Sequence, residues 1–310
     1  MKAEKYRYTG DGKVKLESLP TDSGEDHVRK DEILKKFTKN LSRLAEQQNR
    51  LYADRREGVI VVLQALDAAG KDSLIRHVAS GMNPQGVHVC CLKRPSEEEL
   101  AHDYLWRVNR NLPRRGEITI FNRSYYEDVI TADVLKLKKT YHMAKRVVGE
   151  KESAFIERRI RQVKDYEQYL YENSYRVVKV FLNVSKDTQR ERFLERIDRQ
   201  DKNWKFESGD LDTREQFEEY IKVFNRVISE TGTKESPWYM IPADEKWYTR
   251  YLFSEILLDV LDKIDPEYPE LPEEEQAKLS ECRERLLSEK GTPESLKAQE
   301  AQKPVSGEKG

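Results

Sequence analysis

Between Val59 and Arg76 the chain reads VIVVLQALDAAGKDSLIR. Val59 to Leu63 is an unbroken apolar run, and a strand of that kind has no face to offer to water. The sheet it joins must be covered on both sides, which points to an α/β layered architecture. The run ends in small residues. Ala68, Ala69 and Gly70 let the backbone pass close to a ligand, and the following amides open a helix N-terminus, where partial positive charge collects. Lys71 adds a mobile full charge. Such an arrangement binds phosphate, so Ala68, Ala69, Gly70, Asp72 and Ser73 are the expected phosphate-binding positions and Lys71 a catalytic one.

The pattern departs from the P-loop consensus G-x-x-x-x-G-K-[ST] at two places. Ala65 stands at the first glycine and Asp72 at the hydroxyl residue. The missing hydroxyl removes the usual Mg²⁺ ligand, and Asp67 is the expected replacement, since a carboxylate is a hard oxygen donor. An ordinary strand-to-helix turn with a solvated lysine is the bland alternative. A second motif, EITIFNRSYYED from Glu117 to Asp128, again runs from an apolar strand into a polar cluster. In a parallel sheet, strand C-termini gather on one edge and build the site. Arg123 is there to neutralise a phosphoryl group in transit. Asn122 occupies the place of a Walker B carboxylate; its amide can hold a metal-bound water but brings no charge. The alternative is a surface pair between Arg123 and Glu127.

These blocks carry a resemblance. LDAAGKDSLIRHVASGMNPQGVHV, KRPSEEELAHDYLWR and RGEITIFNRSYYEDV closely resemble the polyphosphate kinase 2 family. FIERRIRQVKDYEQYL, KVFLNVSKDTQRERFLERIDRQDKNWKF and SPWYMIPADEKWYTRY do so as well, and the likeness runs from about Asn40 to Asp262. It implies Mg²⁺-dependent phosphoryl transfer (Mn²⁺ being the other ion) between inorganic polyphosphate and a nucleotide. NPQG, SEEELxHDYLWR and FNRSYYED look most like the subgroup that phosphorylates both AMP and ADP. Other subgroups carry Asp where this chain has Asn122, and Asn near Glu127. The segment ITADVLKLKKTYH departs from the subgroup's usual continuation. Glu127, Tyr126 and Asp128 are the expected nucleotide-binding residues, with Glu127 selecting or orienting the acceptor. Adenine nucleotides are the expected acceptors, with guanine as the other base. The family often forms dimers or tetramers, and the helical stripe Leu34, Phe37, Leu41, Leu44 and Leu51 would allow one.

The expected fold is a P-loop kinase-like three-layer sandwich with a helical lid. Its five-stranded parallel sheet comprises Val59–Leu63, Val87–Leu92, Ile118–Phe121, Arg176–Leu182 and Trp238–Ile241. Helices are expected near Lys71–Gly81, Ser96–Asn111, Ser153–Glu172, Lys186–Arg199, Arg214–Glu230 and Tyr248–Ile264. Residues 1–28 read as a loosely held arm, 29–265 as the catalytic domain with its lid at about 185–212, and 266–310 as an acidic tail, disordered after Leu287. Arg192 and Arg196, four apart, are expected to close over phosphate from the lid. A solvated, salt-bridged helix face is the alternative. Basic residues from Lys136 to Lys164, Arg158 and Arg159 among them, mark a second place for a polyanion. Tyr125 and Tyr126 can stack on a base or pack the following helix, and Trp238 is expected in the core.

Charged residues make up 36% of the chain, yet the net charge is −1, so local fields outweigh the total. Cys90, Cys91 and Cys282 show neither metal-ligand spacing nor a disulfide framework, which suits a reducing compartment. With no signal peptide and no long apolar run, a cytoplasmic enzyme without membrane or nucleic-acid partners is expected. Two other classes remain: an ATP-dependent nucleotide kinase on the same fold, and a non-catalytic polyphosphate or nucleic-acid binder.

Overall fold

A computed structural model describes residues 2–289. Among them, six strands form one sheet: β1 (Arg7–Tyr8), β2 (Gly58–Gln64), β3 (Val87–Cys91), β4 (Ile118–Asn122), β5 (Tyr175–Asn183) and β6 (Trp238–Pro242). The order is β1-β6-β5-β2-β4-β3, and all neighbours are parallel except β1, which runs antiparallel to β6. The five expected strands are present. The sixth corrects the expectation of a five-stranded, purely parallel sheet. β1 is only two residues long, too short for any alternation to announce it. β2 lies in the middle and is buried at every position, as its apolar run requires.

The helices that follow in chain order are α1 (Lys30–Asp54), α2 (Lys71–Ala79), α3 (Glu97–Ala101), α4 (Trp106–Asn109), α5 (Glu127–Val134), α6 (Lys145–Val148), α7 (Glu152–Glu172), α8 (Lys186–Asp198), α9 (Gly209–Glu215), α10 (Phe217–Thr231), α11 (Lys246–Ile264) and α12 (Glu273–Ser288). α1, α2 and α11 pack together as one layer, and α5, α7 and α10 as the other. α1 buries Ile33, Leu44 and Leu51, and its partner is α11 of the same chain. Leu34, on the opposite flank, stays exposed. The single helix expected over Ser96–Asn111 is two short ones. His102 is extended, and the Asp103 carboxylate accepts the Leu105 N–H (2.9 Å), a local turn that competes with helix.

The N-terminal segment differs from the loose arm expected. Ala3, Tyr6, Val14 and Leu16 are buried, and the Val14 and Leu16 amides donate to Ser229 Oγ and Asn225 Oδ1 (2.8 Å each). Asp26 ties the segment down by accepting from Lys5, Tyr6 and Tyr248. Polar composition concealed these anchors, because each uses a polar group on a distant element. The main compact unit ends at Glu267. In the second unit, α12 opens on Glu273, Glu274 and Glu275 and buries no residue. The disorder expected after Leu287 falls mostly outside the described residues.

Candidate active site

β2 and β4 are neighbours, with Leu63 opposite Asn122, so their C-terminal ends deliver two polar segments to one edge. Beyond β2 the chain turns through Ala68 (φ +59°) and Gly70 (φ +107°). A side chain is strained in that left-handed region, and glycine is free of the strain. Gly70 also stands at the N-cap of α2 without a side chain to cap it, which leaves the first-turn N–H groups to a ligand. Beyond β4 the backbone turns through Arg123 (φ +64°), whose amide still donates to Leu63 O (3.2 Å).

The two turns meet in an ion pair between the Arg123 guanidinium and the Asp67 carboxylate. Burial works against the Arg123 charge, but Asp67 and Glu127 outweigh it and hold its pKa above the ordinary value. Lys71 is 8% exposed, and its Nζ donates to Ala65 O (3.0 Å) and Leu66 O (3.4 Å). Burial, then the nearby Arg123 charge, push its pKa down despite Asp67, Glu127 and Asp72. Asp72 accepts from Asn122 Nδ2 (2.8 Å) and pairs with Lys205 (3.0 Å). Burial opposes its charge, and these two partners nonetheless hold its carboxyl below the usual range. Ser73 Oγ accepts from Arg250 (3.0 Å). Asp210 of α9 is pushed the other way, first by burial and then by the Asp67 charge, and its Oδ2 lies 3.5 Å from Arg196 Nη1.

Glu127 opens α5 on this edge. Its Oε2 accepts from Thr131 Oγ1 (2.7 Å). Gln64, with its amide turned so that both ends are satisfied, donates to Glu127 Oε1 (3.0 Å) and accepts from Ser124 N and Oγ. The structure thus brings Asp67, Lys71, Asp72, Asn122, Arg123 and Glu127 together.

Other expected site residues lie elsewhere. Tyr126 is wholly buried and donates to Glu167 Oε1 (2.8 Å), as does Tyr125, so neither ring is open to a base. Asp128 pairs with Arg107 (3.0 Å) on the far side of α5 and accepts from Tyr141 (2.9 Å). Arg192 does not reach over phosphate. Its guanidinium lies behind the loop, donating to Ala68 O, Ala69 O, Ala243 O and Asp244 O. Burial lowers its pKa. Arg196 makes long contacts, 3.5 Å each, to Asp210 and Lys205 O, and its guanidinium lies over the Phe193 ring.

Sequence reasoning did not single out Gln64, Gln189, Lys205, Asp210 or Glu167. Gln189 holds the loop through Asp67 O (3.0 Å). Glu167, 1% exposed, takes Tyr125, Tyr126, Lys179 and Ser236 on its two oxygens. The readable signal was Lys179 within the apolar strand RVVKVFL, because a lysine buried there demands a buried carboxylate.

A family model described as Polyphosphate kinase 2 matches residues 27–269. The ADP-polyphosphate phosphotransferase of Rhodopseudomonas palustris is 39% identical over 289 residues, covering 93% of this chain and 99% of the relative. The AMP/ADP-polyphosphate phosphotransferase of Meiothermus ruber is 40% identical over 277 residues, 89% of this chain and 98% of the relative. Among solved structures, Polyphosphate Kinase 2 from Arthrobacter aurescens TC1 superimposes with a TM-score of 0.79 at 32% identity, covering 90% of this chain and 96% of that one.

Proposed function

The chain belongs to the polyphosphate kinase 2 family, and on that premise we propose that it moves the terminal phosphoryl group of inorganic polyphosphate onto AMP and ADP. The observation that carries the reading is the Asp67–Arg123 pair beside buried Lys71, at the ends of two adjacent parallel strands.

An oxygen of the acceptor's terminal phosphate attacks the terminal phosphorus of the chain. The new P–O bond forms as the bridging P–O bond behind it breaks, and the chain leaves one unit shorter with the electron pair on its new terminal oxygen. Phosphate oxygens are ionised near neutral pH, so no strong base is needed, and catalysis rests on positioning and charge neutralisation. Lys71 exchanges its carbonyl partners for phosphate oxygens, and the uncapped α2 amides hold the same group. Arg123 stays charged throughout and balances the charge spread over the equatorial oxygens. Glu127, fixed by Gln64 and Thr131, orients the acceptor.

The donor set fits a hard divalent cation. Asp67 and Asp210 interact as like charges, and among the described residues no three His, Cys, Asp or Glu converge into an all-protein cage. One or two carboxylates plus phosphate oxygens is the pattern of Mg²⁺, which Mn²⁺ shares. Asp67 would hold the ion with Asp210 in support, and when bound it neutralises charge on the transferring group. Among the described residues no helix is long and apolar enough to cross a membrane.

ATP formation from long-chain polyphosphate and Mg²⁺, with AMP or ADP as acceptor, tests the reading. ATP from both acceptors is expected. ATP from ADP alone would remove AMP and the acceptor role of Glu127, and a requirement for ATP as donor would replace this reading by an ordinary nucleotide kinase.

A further inference from the structure

β5 and β6 end on the edge where β2 gives way to the phosphate loop. Phe181 stands opposite Gln64, and Asn183 opposite Pro242. The N-terminal segment is fastened to this edge. Asn183 is 3% exposed, and its Nδ2 donates to Leu16 O (3.3 Å), Leu19 O (3.2 Å) and Pro20 O (3.2 Å). Beyond β6, the Asp244 amide donates to Thr21 O (2.8 Å), and Glu245 Oε2 accepts from the Ser23 amide (2.9 Å).

The same residues bind inward with their other groups. Asn183 O accepts from the Ala243 amide (3.0 Å). The Asp244 carboxylate accepts from the amide of Ser185 (2.8 Å), the residue whose hydroxyl caps α8. The Ala243 and Asp244 carbonyls receive Nη2 of Arg192, and Nη1 of that guanidinium holds Ala68 O and Ala69 O. An unbroken run of hydrogen bonds thus leads from the N-terminal segment into the phosphate loop. The fork is planar and rigid, so a shift of the carbonyls on one side is passed to those on the other. In a trans peptide the carbonyl and the next N–H point opposite ways, so holding Ala69 O aims the Gly70 N–H away from Arg192. Ala68, at φ +59°, sits in a strained region, and such a conformation persists only where its surroundings over-determine it.

We propose that Asn183 and Asp244 are positioning residues for the transfer reaction: with the N-terminal segment they fix the Ala243 and Asp244 carbonyls and, through Arg192, the phosphate loop. This rests on the reading that the loop holds the phosphate being transferred. Glu127 is held from Gln64 and Thr131, outside this run of bonds, so the effect falls on the donor side of the reaction and spares the acceptor.

Hydrogen–deuterium exchange of the ligand-free full chain reads the loop without turnover, and steady-state kinetics reads the consequence. In Asn183→Ala, residues 66–74 should exchange faster and kcat/KM for polyphosphate should fall by about 3- to 30-fold, while the KM for ADP keeps its wild-type value. Asp244→Ala should act in the same direction, and Asp244→Asn, whose side-chain oxygen still accepts from Ser185, should keep wild-type behaviour. Because Asn183 acts through Arg192, adding Asn183→Ala to Arg192→Ala should lower kcat/KM by less than about twofold more. Wild-type exchange over residues 66–74 would overturn the proposal. So would a lowered thermal midpoint with kcat/KM for polyphosphate unchanged, or fully multiplicative effects of Asn183→Ala and Arg192→Ala. Should Asn183→Ala not fold, Asp244→Ala set against Asp244→Asn decides by the same readouts. A wild type that forms no ATP from polyphosphate, with loop exchange still sensitive to Asn183→Ala, would uphold the support of the loop and remove the transfer reading instead.

Discussion

Replacing Arg192 by alanine separates two accounts of the α8 arginines. In the structure the guanidinium joins three segments: its Nη1 donates to Ala68 O (3.2 Å) and Ala69 O (2.7 Å), and its Nη2 to Ala243 O (2.7 Å) and Asp244 O (2.9 Å). A hydrogen bond from a charged donor contributes about 1.5–3 kcal/mol. Against the four stands the cost of burying the charge, visible in its lowered pKa, and water can reach some of the freed carbonyls. The net loss on Arg192→Ala should be about 3 kcal/mol. For a unit of this size each kcal/mol shifts the thermal midpoint by about 2–4 °C, so a fall of about 6–12 °C is expected. The assay is scanning calorimetry of ligand-free protein at one protein concentration, since any self-association also moves the midpoint. A phosphate-grasping lid residue behaves differently: the ligand-free midpoint stays put and only the KM for polyphosphate rises. That outcome would refute the structural role given to Arg192.

Lys71→Ala should lower the transfer rate by about 10²–10³-fold while leaving the thermal midpoint unchanged or raised, because it removes a buried ammonium; an unaltered rate contradicts its role. Glu167→Gln leaves Lys179 buried without a counter-charge and should cost about 3–5 kcal/mol in urea unfolding, part of it restored in Glu167→Gln/Lys179→Met. A loss under about 1 kcal/mol would count against the network. Asp26 is partly buried, which raises its pKa, but bonds from Lys5, Tyr248 and Tyr6 prevail and bring the folded-state value below the ordinary 3.8. Its stabilising contribution is therefore complete above that value and lost as pH falls through the lower folded one. Asp26→Asn should flatten this part of the acid-unfolding curve, and an unchanged acid limb speaks against the anchor.

What could be read from sequence follows from where the chain signals burial. Val59–Leu63 and Ile118–Phe121 announce central strands because no residue in either run is charged, and Trp238 at the head of an apolar run does lie in the core. Asp67, Lys71 and Arg123 were expected on one edge because parallel strands end together, and there Asp67 pairs with Arg123 while Lys71 donates to the loop carbonyls of Ala65 and Leu66. Direction was harder to read. Tyr126, Glu127 and Asp128 are consecutive at the opening of α5, and successive helical positions differ by about 100°. One turns into the core, one to the site and one to Arg107. Arg192 reads as a lid arginine from spacing alone, because the carbonyls it meets come from loops 50 and more residues away. Gln64 lies beside an apolar run that hides its role, and β1 gains its partner only from β6.

The most direct test of the account is the phosphorus balance of the reaction, followed by ³¹P NMR with purified protein, long-chain polyphosphate, ADP and Mg²⁺. The account predicts one phosphoryl unit lost from the chain for each ATP formed, no release of orthophosphate, and neither change with Lys71→Ala. ATP formed without chain shortening, chain loss appearing as free orthophosphate, or full turnover in Lys71→Ala would contradict direct transfer at this site.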